Sequence, residues 1–253
     1  MHSPDFLAAD GKSVIIAIDH TLYSWPCPGL EDRGQIIDQV AEAGADGIIA
    51  SYGTIRDFRP RFGRAAPILK MDITTLTMGT NYALTEYVMA YTIEDAQRLG
   101  VKTTLTYIQL GAPFELEALR QAAILAARCD KAGMSYLCEI MPVESKTYPD
   151  PAAPEAIIAA CRTGAELGGH AIKTTMPVPS TAIAEAVKAC GVPVILAGGA
   201  FAKDRQQLMK DVATAIGQGA AGVAFGRNAW GAPDPGAAVR SLRDIIHSKG
   251  KKG

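Results

Sequence analysis

Lys173 is the residue on which chemistry could turn. It sits in Gly168-Gly169-His170-Ala171-Ile172-Lys173-Thr174-Thr175-Met176-Pro177, which reads as a buried strand ending in a proline-punctuated loop. An ammonium is costly to bury without a partner, and no Asp or Glu stands beside it in the sequence. Two readings are open. A desolvated lysine is partly neutral and attacks a carbonyl carbon to form a Schiff base. Alternatively, its long stem carries the charge out of the strand end into water. Glu139 poses the complementary problem in the apolar run Tyr136-Leu137-Cys138-Glu139-Ile140-Met141. A carboxylate there needs a partner, and Lys173 in the next strand is the natural one. The pair could shuttle protons in imine chemistry or form a plain salt bridge.

A rival amine is Lys70, in Pro67-Ile68-Leu69-Lys70-Met71-Asp72. Strand side chains alternate with period two, so Lys70 and Asp72 face the same way and are expected to pair against the pocket. A paired lysine stays charged and is a poor nucleophile, which favours Lys173. Asp19-His20 closes the first apolar run. Asp19 could move protons, hydrogen-bond a substrate hydroxyl or cap a turn; His20 could serve catalysis or a structural hydrogen bond. Tyr107 and Gln109 end another run. Gly198-Gly199 and Gly226-Arg227-Asn228 follow the last two. Backbone N–H groups at such strand ends, one with an arginine, suit a phosphate.

These residues need a scaffold that brings strand ends together. Eight short apolar runs recur: Ser13–Asp19, Gly47–Ser51, Pro67–Asp72, Thr103–Gln109, Ser135–Met141, His170–Thr174, Pro193–Gly199 and Gly222–Arg227. Continuous apolar character suits strands of a parallel sheet buried on both faces. Helical periodicity fills most gaps, over Leu30–Ala43, Tyr91–Leu99, Glu115–Ala132, Pro154–Leu167, Thr181–Cys190, Arg205–Gln218 and Gly236–Ser248. Several of these segments close on a glycine, and Thr92 with Asp95 suggests an N-terminal cap. Thr74–Tyr91 reads as a loop, and the tail Lys249–Gly253 as frayed. Eight strands alternating with helices predict an α/β protein, a (β/α)8 TIM barrel with its site at the C-terminal strand ends. A single domain over residues 1–253 is expected. The alternative, an open doubly wound sheet, wants a glycine-rich turn after the first strand; Ile18-Asp19-His20-Thr21 supplies none.

Composition narrows the partners. With 25 Lys+Arg against 26 Asp+Glu, nothing invokes nucleic acid or an anionic membrane. No apolar run nears the ~20 residues of a membrane span, and the start lacks a signal-peptide pattern, so a cytoplasmic protein is expected. Five scattered cysteines without a CxxC pair, and four histidines, argue against a disulfide framework or a metal site.

The order of Ala17-Ile18-Asp19-His20, Glu94-Asp95-Ala96, Glu139-x-x-Pro142, Ile172-Lys173-Thr174, Ala197-Gly198-Gly199 and Gly226-Arg227-Asn228 is similar to the archaeal-type class I fructose-bisphosphate aldolases, relatives of deoxyribose-phosphate aldolase. The likeness runs from about Val14 to Trp230. It implies a TIM barrel and metal-free aldol cleavage of a phosphorylated ketose, with no cofactor beyond an imine on Lys173. It places Asp19 in the pocket and a substrate phosphate on the last two strand ends. It implies a homo-oligomer acting on a small sugar phosphate. The family carries a proton-transferring tyrosine where Met141 stands, so that role would pass to Glu139, Tyr107 or Asp19. Thr21 replaces a glycine. Related barrels include thiolase-like and transaldol-type transferases, and a non-catalytic sugar-phosphate-binding barrel is the further alternative.

Overall fold

The computed structural model describes residues 3–22, 27–74 and 87–248. The apolar runs become β1 (Ser13–Ala17), β2 (Gly47–Ala50) and β3 (Ala66–Lys70), then, after a short hairpin of β4 (Asp72–Thr74) and β5 (Tyr87–Met89), β6 (Thr103–Leu110), β7 (Ser135–Pro142), β8 (Ala171–Thr175), β9 (Val194–Ala197) and β10 (Gly222–Phe225). All but β4 and β5 close into one parallel barrel in the order β1-β10-β9-β8-β7-β6-β3-β2. This is the (β/α)8 barrel that the alternation predicts.

The helices follow the periodicity. They are α1 (Arg33–Glu42), α2 (Tyr52–Phe58), α3 (Ile93–Arg98), α4 (Glu115–Ala132), α5 (Pro154–Glu166), α6 (Ile183–Cys190), α7 (Arg205–Gly217), α8 (Arg227–Trp230) and α9 (Pro235–Ile246). Thr92 and Asp95 form a reciprocal capping box on α3. Gly133 and Gly191 end α4 and α6 in the left-handed conformation that a side chain resists.

Three features depart from expectation. α2 and the 3-10 turn Arg59–Phe62 fill a gap whose sequence shows no helical repeat. Residues 72–74 and 87–89 pair antiparallel, so the segment expected as loop is flanked by strands; residues 75–86 lie outside the described residues, as does the tail 249–253. The third run breaks at Met71, so Asp72 belongs to β4 rather than to the barrel strand that holds Lys70.

Side chains alternate strictly around the barrel. One set, including Val14, Ile16, Ile48, Leu69, Ile172 and Phe225, packs outward under the helices. The other, including Ile15, Ala17, Ile49, Ile68, Leu105, Leu137, Ala171 and Ile195, fills the interior. Phe6 joins that inner cluster and is fully buried. Its segment is tied down where Ser13 Oγ donates to the Phe6 carbonyl at 2.7 Å and Thr103 Oγ1 to Asp5 Oδ1 at 2.6 Å. Phe6 thus stops the N-terminal end of the barrel and leaves the other end open for a site.

Phe6→Ala should therefore open a cavity beneath the inner layer. Its expected cost is about 3–5 kcal/mol of unfolding free energy, read from denaturant melts. A loss under about 1 kcal/mol would mean that the segment does not plug the barrel.

Candidate active site

A cavity of about 290 Å³ opens at the C-terminal strand ends. Its floor is the inward-facing layer one level below the mouth. Register fixes the layer: Tyr107 on β6 lies opposite Glu139 on β7, and Glu139 opposite Lys173 on β8. Lys173 Nζ meets Glu139 Oε1 at 2.7 Å, with both residues more than nine-tenths buried. Burial pushes the Glu139 carboxyl above the usual carboxylate range, although Lys173 pulls the other way. The same is true of Asp19, raised by burial against the pull of Lys173 and Lys70. Its Oδ1 is buried without a hydrogen-bond partner and Asp19 lines the cavity. Two carboxyls that hold protons unusually well thus flank one amine.

The second lysine is bound differently. Lys70 Nζ sits 2.5 Å from Asp72 Oδ1 and 5.7 Å from the Tyr107 ring centre. Burial alone would favour its neutral form, but Asp72, then Asp19 and Glu139, outweigh that and hold it protonated. Asp72 spends its other oxygen on the Tyr107 backbone N–H at 2.7 Å. Lys70 lines the cavity; Asp72, expected on the wall, lies behind it with both oxygens engaged.

On the far side of β8, Gly198, Gly199, Gly226 and Arg227 line the opening, as their strand-end positions predict. Asn228 holds these two loops together. Its amide donates to the carbonyls of Gly198 (2.8 Å) and Ala200 (2.9 Å), and its oxygen accepts from Ala202 N–H (2.8 Å). Gly226 is required by contact: a Cβ there would come within 2.2 Å of the His20 ring. That ring stands edge-on to Trp230 at 5.3 Å, and Trp230 Nε1 donates to the Ala17 carbonyl at 2.9 Å. Burial, then the charges of Lys173 and Arg227, drives His20 down to about 3, so it is neutral near pH 7.

Sequence reasoning gave less weight to Gln109, Met141 and Thr175, which also line the cavity. Each lies two residues beyond a floor residue on the same strand, so period-two parity was the available signal. Gln109 Nε2 donates to Tyr107 Oη at 3.3 Å.

The family described as DeoC/LacD family aldolase matches residues 13–232. A Streptomyces griseus protein named 2-amino-4,5-dihydroxy-6-oxo-7-(phosphonooxy)heptanoate synthase is 30% identical over all of this chain and 89% of its own length. The class 1 fructose-bisphosphate aldolase of Thermoproteus tenax is 29% identical over 97% of this chain and 93% of its own. An archaeal fructose-1,6-bisphosphate aldolase, solved with its catalytic lysine covalently bound to the carbinolamine intermediate, superposes with a TM-score of 0.83 at 26% identity, covering 95% of this chain and 96% of the other.

The neutral His20 has a consequence for stability. The unfolded chain takes up a proton near pH 6.5 and the folded chain only near 3, so between those values folding stability falls as pH falls. His20→Gln should flatten that decline by up to about 1.4 kcal/mol per pH unit. Denaturant melts at several pH values across this window check it; parallel profiles for the two proteins would contradict it.

Proposed function

The chain belongs to the DeoC/LacD family of aldolases, and we propose that Lys173 is the amine through which it works on a phosphorylated ketose. It is a class I aldolase, a lyase whose chemistry runs through a covalent lysine adduct rather than a metal. The observation that carries the assignment to Lys173 is its contact with Glu139 at 2.7 Å on the cavity floor. Lys70 is the weaker candidate because Asp72 pairs with it closely and has no face on the cavity.

The steps follow from this arrangement. The Lys173 ammonium gives a proton to Glu139, and the freed amine attacks the ketone carbon. Glu139 returns a proton to the carbinolamine hydroxyl, which leaves as water, and an iminium remains. Removal of a proton from the hydroxyl on the far carbon of the breaking bond turns that carbon into an aldehyde and sends the bond's electrons into the iminium. The products are an aldehyde and an enamine, which is protonated on carbon and hydrolysed back to free lysine. The raised affinity of Glu139 and Asp19 for protons suits groups that take up and return a proton. Tyr107 lines the same cavity level with Glu139, its hydroxyl accepting from Gln109, and is assigned a supporting role. Asp19 has an open oxygen for a substrate hydroxyl.

Gly198, Gly199, Gly226 and Arg227 are assigned to the substrate phosphate, with His20 packed beneath them. The donor we propose is dihydroxyacetone phosphate. The product named for the Streptomyces griseus relative carries a phosphate, a ketone and a hydroxyl on its last three carbons. Breaking the bond beyond that hydroxyl releases dihydroxyacetone phosphate. Cleavage of fructose 1,6-bisphosphate, the substrate named for the archaeal neighbour, releases the same ketone.

Borohydride reduction in the presence of dihydroxyacetone phosphate should leave a stable adduct on the peptide bearing Lys173, seen by mass spectrometry. Lys173→Ala should lose both adduct and turnover while remaining folded by circular dichroism. An adduct on Lys70 would move the centre to β3. Glu139→Gln should lower kcat by roughly 10²–10⁴-fold, with slower imine formation in a single turnover. An unchanged kcat would remove Glu139 from the proton transfers.

A further inference from the structure

We infer that the aldehyde joined or released at this site carries no phosphate of its own. This rests on the proposed aldolase reading and adds the acceptor class to it. The donor phosphate is assigned to the ends of β9 and β10, on one side of Lys173. The other half of a ketose must then extend to the opposite side, over β7 and β6. The wall there is Tyr107, Gln109, Met141 and Thr175, rising from Glu139. Its polar groups are hydroxyls and an amide, its remaining side chain is a thioether, and its one ionisable acid is a carboxyl.

A phosphate dianion needs charge-assisted donors when it leaves water, and an uncompensated charge is expensive to enclose. Among the described residues, the cations on the cavity wall are Lys70, Lys173 and Arg227. Lys70 is committed to Asp72, Lys173 to the reaction, and Arg227 to the donor phosphate. Lys146 and Lys203 are exposed in loops and do not line the cavity. The two internal stretches outside the described residues, 23–26 and 75–86, contain no Lys, Arg or His. A second phosphate over β6 and β7 would find only Lys70, whose charge Asp72 already balances, and Glu139 when ionised would repel it. An aldehyde with hydroxyls in place of that phosphate finds Gln109, Tyr107 and Thr175.

Fructose 1-phosphate and fructose 1,6-bisphosphate differ only in that second phosphate. Each would be titrated against borohydride trapping of isotope-labelled dihydroxyacetone phosphate on Lys173, following loss of the labelled three-carbon adduct, since cleavage of either ketose supplies only unlabelled ketone. The monophosphate should compete at a concentration lower by roughly tenfold or more. Equal competition, competition by neither, or a preference for the bisphosphate would overturn the inference while the trapped adduct keeps the aldolase reading. Absence of any adduct from dihydroxyacetone phosphate would sink that reading, and this inference with it. Gln109→Arg, which places a guanidinium on the wall, should narrow the gap. A gap left unchanged by it would show that the aldehyde half does not lie there.

Discussion

The constraint on which the site depends is the burial of two ammonium groups inside a closed barrel. Lys70 and Lys173 are 1% and 5% exposed, and an interior charge survives only with a partner and satisfied hydrogen bonds. The barrel meets the demand twice, in unlike ways. Lys70 receives a carboxylate from the strand that follows it, and Asp72 is itself anchored by the Tyr107 N–H. Asp72 lies behind the wall and holds the Lys70 charge in place on it. Lys173 receives Glu139 from the neighbouring barrel strand, and both keep a face on the cavity. The first arrangement fixes charge; the second leaves an amine and an acid where a carbonyl can reach them. Lys70 also helps to set the field in which Asp19 and Glu139 titrate.

Much of this was legible because a parallel barrel writes itself plainly. Strands buried on both faces appear as unbroken apolar runs, so a Lys or Glu inside one stands out, and those outliers are the floor residues. The partnership of Glu139 with Lys173 could be read from adjacency alone, since successive strands of this region neighbour each other. What stayed hidden had no periodic signal. α2 is seven residues long, and β4 and β5 three each, too short for a repeat to declare itself. Phe6 is a single aromatic in a polar leader, and nothing in its neighbours says that it enters the barrel. Asp72 was matched to the right lysine on a faulty premise: period two held, but the chain had already left the barrel at Met71. Asn228 showed as part of a phosphate motif, whereas its side chain is spent on holding the Gly198 loop.

Register also separates chemistry from selectivity in space. Tyr107, Glu139 and Lys173 share one level across β6, β7 and β8. Gln109 and Met141 face each other one level nearer the mouth, with Thr175 two residues past Lys173. Under the proposed reading, proton transfers at the imine nitrogen need a group on the lower level, where Glu139 stands. The tyrosine of the resembled aldolases would belong to the upper level, at Met141. On that reading the acid at 139 keeps proton exchange beside the nitrogen, and 141 is free to be apolar. Substitution on the upper level can then reshape the wall that the aldehyde meets while leaving the Lys173–Glu139 contact intact. A barrel with this division can change its acceptor by exchanging side chains at 109, 141 and 175, and keep one way of making and breaking the carbon–carbon bond.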